Sequence, residues 1–174
     1  LSWRIGIMAC IVGKTVNRAC WMAPLCGALT NGIQPQPIHD LFREINQPND
    51  GVWRQRVNEY LDLEQFMTQA AFEAFVAELD GINGVFGMNN FYLYRSSGSN
   101  RHRLFMWDKD SAFDGVEWDI FSNLDKYMLF QRLMSFPDLR ETYLRTLEDA
   151  TRSAAETSED ADRSAGEPWL EREI

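Results

Sequence analysis

From Asp62 to Leu79 the chain places Leu63, Phe66, Met67, Ala70, Ala74 and Ala77 at steps of three and four residues, with Phe72, Phe75, Val76 and Leu79 widening the apolar stripe. That spacing predicts a long, largely buried helix. Asp62 stands where an N-cap would, and Gln65 follows three residues later as a variant of the capping box. Gly81 is expected to stop the helix. Glu73 and Asp80, seven residues apart, then share a face if the last turn persists. Phe91 to Arg95 and Arg103 to Trp107 are rich in aromatics, and Ser96-Ser-Gly-Ser-Asn100 between them is turn chemistry, so the pair predicts a hairpin. From Ile120 onward, Leu124, Met128, Leu129 and Leu133, then Leu139, Tyr143, Leu144 and Leu147, predict two helices broken at Pro137. Upstream, Pro35, Pro37 and Pro48-Asn-Asp-Gly51 are turn signals around one short helix, His39 to Ile45. The fold class expected is α+β: mainly helical, with one small β-hairpin.

The pattern divides the chain into four stretches. Residues 1–32 show neither a helical nor a strand period and read as an atypical N-terminal segment. Residues 33–150 hold the periodic elements. Residues 151–167 are Ser, Ala, Thr, Glu and Asp without apolar period, expected as a flexible linker, and 168–174 resemble the start of a truncated helix with Pro168 near its first position. The chain as a whole reads as a fragment. Gly13-Lys14-Thr15 suggests a phosphate-binding loop, but Met8 occupies the position where that motif needs its first glycine. Ile7-Met8-Ala9-Cys10 after Arg4 resembles a lipoprotein signal only loosely, and Lys14 interrupts it soon after.

Composition narrows the function classes. A net charge of −9 over 174 residues argues against nonspecific nucleic-acid binding, which needs a basic face. No apolar run reaches the length of a membrane span. Cys10, Cys20 and Cys26 match no zinc spacing, and three cysteines cannot close a disulfide framework, so they read as incidental or buried thiols. His39 and His102 are the only histidines and sit near no other ligand-type cluster, so surface or capping roles are expected for both.

Candidate chemistry gathers around the hairpin. Asp80 enters a loop containing Gly81, Gly84 and Gly87, where backbone can approach a ligand closely, and a carboxylate there can accept a hydroxyl proton. As a helix C-terminal residue it would also be mildly disfavoured by the macrodipole, which tilts the reading toward function. Asp108 and Asp110 lie two apart, so continued strand geometry would turn both carboxylates to one side to share a hard cation such as magnesium. Spacing alone leaves equally open a turn that caps Ser111 onward. Asn89 and Asn90 either supply an amide oxygen to a metal or simply end the loop. The order of helix, aspartate, asparagine, hairpin and aspartate is that of a phosphoryl-transfer lobe, although neither His-Arg-Asp nor Asp-Phe-Gly occurs.

Tyr60-Leu-Asp-Leu-Glu-Gln-Phe66, Glu78-Leu-Asp-Gly81, Asn89-Asn-Phe-Tyr-Leu-Tyr94 and Trp107-Asp-Lys-Asp-Ser-Ala-Phe113 closely resemble the CotH family of spore-coat and secreted atypical kinases. The resemblance runs from about residue 50 to 150 and continues weakly into Trp169–Ile174. It implies the C-lobe portion of a protein-kinase-like fold that transfers phosphate from ATP, with Mg²⁺, to serine of exported or coat proteins, at the cell or spore surface. By motif position it implies Asp80 as the catalytic aspartate, Asp108 as the metal-binding aspartate with Asp110 beside it, and Asn90 as the metal-side asparagine.

The departures from the family pattern are a missing glycine-rich nucleotide loop and the lack of a strand lysine paired with a helix glutamate. The chain holds only Lys14, Lys109 and Lys126. The isolated chain is therefore expected to be inactive. Two other classes remain in view: a non-catalytic surface or coat assembly protein on the same scaffold, and a metal-dependent nucleotide hydrolase.

Overall fold

The computed structural model describes residues 36–155 except Ser97 and Val116. The atypical segment 1–32, the three cysteines, most of the expected linker and the 168–174 helix start lie outside the described residues. Five helices and one antiparallel hairpin are described: α1 (Gln36–Ile45), α2 (Asp50–Asn58), α3 (Leu63–Phe75), β1 (Phe91–Arg95), β2 (His102–Met106), α4 (Met128–Met134) and α5 (Pro137–Ala155). The architecture is α+β, as expected. No helix among the described residues is long and apolar enough to cross a membrane.

α3 is the central element. It packs along α5 and against β2, and Phe66 meets Phe130 of α4 with ring centroids 5.2 Å apart. Leu63, Phe66, Met67, Ala70 and Ala71 are buried along it; losing the Phe66 ring would cost about 3–5 kcal/mol by transfer plus cavity. Asp62 does cap α3, accepting the Gln65 N–H at 3.4 Å. Gln65 does not reciprocate as a capping box expects. Its Oε1 instead accepts the Leu104 N–H at 2.9 Å while its Nε2 donates to the Leu104 carbonyl, tying α3 to β2.

Several boundaries differ from the sequence expectation. α3 ends at Phe75, well before Gly81. Ala77, at φ +49°, takes the left-handed position after the cap; its N–H bonds the Ala74 carbonyl and the Glu78 N–H bonds that of Glu73, the paired closure of a Schellman end with alanine in glycine's place. Asp50–Asn58, which begins inside the Pro48–Gly51 turn signal and for which no helix is expected, is a helix capped by Asn49, whose side chain accepts the Gly51 N–H at 3.1 Å. The hairpin's return strand starts one residue earlier than expected, and residues 120–127 form turns rather than helix. α5 continues to Ala155, so the first five residues of the expected linker are helical.

The hairpin register pairs Phe91 with Met106 and Leu93 with Leu104. Strand alternation turns Phe91, Leu93, His102 and Leu104 into the core and leaves Tyr92, Tyr94, Phe105 and Trp107 on the outer face. His39 is exposed, but His102 is buried rather than at the surface. Its backbone N–H and its Nδ1 both reach the Tyr60 carbonyl at 2.7 Å, and burial pushes its pKa below the ordinary value.

Candidate active site

Between α3 and β1 the chain winds through Val76–Asn90 without regular structure, and this loop delivers Asp80. With α3 ending at Phe75, Asp80 lies beyond the helix, so neither a shared helical face with Glu73 nor a macrodipole penalty applies to it. Its two carboxylate oxygens are held separately. Oδ1 accepts from Asn89 Nδ2 and Oδ2 from Asn90 Nδ2, both at 2.8 Å, while the Asp80 N–H donates to Glu78 Oε1 at 2.9 Å. Both expected asparagines thus serve the aspartate. Asn90 is buried at φ +51°, a conformation asparagine tolerates better than most residues.

The Asn90 carbonyl accepts the Trp107 N–H at 2.9 Å, extending the hairpin pairing to the residue just before Asp108. One asparagine therefore touches the Asp80 carboxylate with its side chain and the approach to Asp108 with its backbone. Asp108 is exposed, at φ +51°, so the strand does not continue through it in regular form; Asp110 is exposed too. The downstream segment folds back on the Asp80 loop, with the Phe113 N–H on the Val76 carbonyl at 2.7 Å and the Leu79 N–H on the Ser111 carbonyl at 3.5 Å. No salt bridge among the described residues engages Asp80, Asp108 or Asp110.

Lys109, between the two aspartates, donates to Glu73 Oε1 at 2.8 Å. Glu73 is fully buried, and its Oε2 accepts the Ile82 N–H. Burial raises its pKa, opposed in turn by the Lys109 hydrogen bond, the Lys109 charge and the Ile82 N–H. A lysine–glutamate pair does occur, but it joins a helix glutamate to a lysine of the acidic loop, not to a strand lysine. Glu78 is buried as well, and its Oε2 has no hydrogen-bond partner among the described residues. The sequence pattern marks Glu73 only as sharing a face with Asp80; its place inside the otherwise apolar stripe of α3 is the signal of its burial.

The donor set fits magnesium better than zinc. Among the described residues, Asp108 and Asp110 are exposed oxygen donors with no salt-bridge partner, and the Asn90 amide makes its side-chain hydrogen bond through nitrogen. Magnesium is held by one or two carboxylates plus phosphate oxygens, so a site completed by substrate suffices. No cluster of three or more His, Cys, Asp or Glu at metal-binding distance occurs among the described residues, so these side chains alone do not complete a metal site. A cleft of about 500 Å³ lies by α4 and α5 and one of about 450 Å³ by Asp62 and Thr142. Neither is lined by Asp80, Asn90, Asp108 or Asp110.

Residues 31–161 match the family described as CotH kinase protein, well over half of the chain. The chain belongs to the CotH kinase family. The match takes in every element from α1 to α5 and extends beyond the 50–150 stretch that carries the motifs, ending before Trp169–Ile174. A comparison with curated proteins found no match.

Proposed function

We propose that this CotH-family chain is the C-lobe portion, assigned to residues 33–150, of an atypical protein kinase that transfers the terminal phosphoryl group of ATP to serine on exported or coat proteins. The observation that carries the reading is Asn90, whose amide holds the Asp80 carboxylate while its carbonyl holds the residue preceding Asp108. Family membership supports the reaction class.

In this reading Asp80 is the catalytic residue. With both oxygens oriented by amide N–H groups, its carboxylate is presented in one direction, where it accepts a hydrogen bond from the acceptor hydroxyl and then its proton. Asp108, with Asp110 and the Asn90 amide oxygen, would hold the magnesium that accompanies ATP. When bound, that ion neutralises charge on the phosphate oxygens. The chain's own contribution is to hold the two acidic groups on adjoining loops, so that acceptor and phosphate meet in line. The surface setting expected of an exported kinase belongs to the same proposal.

One observation favours a second reading, a non-catalytic assembly module: the two clefts above are not lined by the acidic residues. The experiment is phosphate incorporation from γ-labelled ATP into serine-rich protein, using the chain expressed with its flanking coding sequence. Asp108→Ala and Asp80→Ala are each expected to lower incorporation by about 10²-fold or more. Incorporation unchanged by both substitutions overturns the kinase reading. Assembly defects without any transfer activity would favour the module.

A further inference from the structure

The Asp80 loop and the Asp108–Asp110 loop are joined by one side chain. Glu73 projects from α3 with one oxygen on the Ile82 N–H, two residues after Asp80, and the other on Lys109 Nζ, between Asp108 and Asp110. The carboxylate is 0% exposed, whereas Lys109 is 24% exposed. Gly81 makes the approach possible: a Cβ there would lie 2.0 Å from Glu73 Oε2. Net stability does not account for such a pair, because desolvating two charges offsets most of their attraction, and apolar replacements are often as stable. What it does supply is a fixed distance between two segments that otherwise lack regular structure.

We propose that Glu73 and Lys109 are positioning residues that set the separation of Asp80 and Asp108, through a buried strut between the two loops. The inference rests on the reading of Asp108 as a metal ligand given above. The acidic loop is pinned on both sides of the strut, at Trp107 by the Asn90 carbonyl and at Phe113 by the Val76 carbonyl. Asp108 between these points keeps a left-handed backbone that only surrounding contacts would maintain. Trp107 and Lys109 flank it directly, and Lys109 is the one held through its side chain. Releasing it frees the loop to relax toward an ordinary conformation and carries the Asp108 carboxylate away from Asn90.

Charge and position predict opposite results for one substitution. Lys109→Met removes a cation from beside Asp108 and Asp110, so charge alone would tighten a divalent cation. A positioning role loosens it. The test is Mn²⁺ binding to the chain, followed by the loss of the free-ion electron paramagnetic resonance signal, with folding checked by circular dichroism and thermal melting. Wild type is expected to bind through Asp108, with Asp108→Ala abolishing binding. Lys109→Met and Glu73→Gln should each weaken it about tenfold, the range seen when partners that orient metal ligands are removed. Lys109→Arg should restore most of it. Should Lys109→Met not fold, Lys109→Gln gives the same comparison with a hydrogen-bonding side chain. If wild type binds Mn²⁺ through Asp108 and the folded Lys109 variant binds as tightly or more tightly, the strut is overturned and the kinase reading stands. If wild type and Asp108→Ala behave alike, the metal-site reading falls and the strut falls with it.

Discussion

Asn90 donates its amide N–H to Asp80 Oδ2 at 2.8 Å and accepts the Trp107 N–H on its own carbonyl at 2.9 Å. Two acidic positions 28 residues apart in sequence are thereby referred to one buried residue. The aspartate's other oxygen is taken by Asn89, so its carboxylate plane is set by two donors from consecutive residues.

This double acceptance makes Asp80→Asn a poor isostere. An amide at position 80 would face one of the two neighbouring amides with donor against donor. A loss of about 1–3 kcal/mol in folding stability is expected from the hydrogen bond forfeited and the donor left unpaired. Urea titration of the variant against wild type reads it; an unchanged midpoint would show that the loop reorganises freely.

Asn90 carries both a hydrogen bond and a left-handed backbone, and two substitutions separate these. Asn90→Ala loses the bond and keeps the backbone demand, whereas Asn90→Gly loses the bond and relieves the demand. The glycine variant should be the more stable of the two by about 1 kcal/mol. Equal melting midpoints would mean that the backbone at position 90 changes when the side chain is removed.

Two glycines should respond very differently to an added methyl group. At Gly81 a Cβ would meet Glu73 Oε2 at 2.0 Å and Glu78 Cγ at 2.8 Å. Gly81→Ala should therefore cost about 2 kcal/mol or more through overpacking and displacement of the Glu73 carboxylate. At Gly98, with φ +80°, nothing lies within 4 Å of the added atom. Gly98→Ala should cost only the backbone strain, about 1 kcal/mol. Chemical denaturation of both variants compares them directly.

His102 sets a pH dependence with a definite sign. Burial lowers its folded pKa from the ordinary value of 6.5, so just below that value the unfolded chain binds a proton that the folded chain does not. Its contribution is present above 6.5 and is lost as pH falls through the lower, folded-state value. His102→Asn keeps a donor near the Tyr60 carbonyl but cannot titrate. Its stability should fall less than that of wild type between about pH 7.5 and pH 5.5, a difference that denaturant midpoints at the two pH values report.

Arg132 closes the connection between α1 and α2. Its guanidinium donates to the carbonyls of Ile45 and Gln47, pairs with Asp50 at 2.6 Å and lies 5.0 Å over the Trp53 ring. A lysine cannot reproduce that fork, so Arg132→Lys is expected to lose about 1–2 kcal/mol despite keeping the charge. Thermal melting checks it, and a loss seen only with Arg132→Ala would assign the effect to charge or bulk.

What was legible in the sequence was local. The Asp62 cap, the apolar stripe of α3, the hairpin and the break at Pro137 each depend on neighbours a few residues away, and each is present in the structure. α2 was hidden because Pro48-Asn-Asp-Gly51 is equally good turn and helix-start chemistry, and only Trp53 and Val57 mark a buried face. α3's early end was hidden because alanine rather than glycine takes the left-handed position at Ala77. At the site, the order along the chain singles out Asp80 with Asn89 and Asn90, which hydrogen bonds join, but the Glu73–Lys109 pair spans 36 residues and follows from no spacing rule. The burial of His102 is equally non-local: it depends on Tyr60 and Leu61 running beside β2.

The Gln65 side chain has a consequence for association. Along the outer side of β2, the Leu104 N–H and carbonyl are both occupied by that amide, and those of His102 by the Tyr60 carbonyl and the Asp62 N–H. A glutamine and a short stretch of loop thus stand in for a third strand, satisfying the groups that would otherwise recruit one from another molecule. Any strand that widens this hairpin into a larger sheet must come alongside Phe91–Arg95.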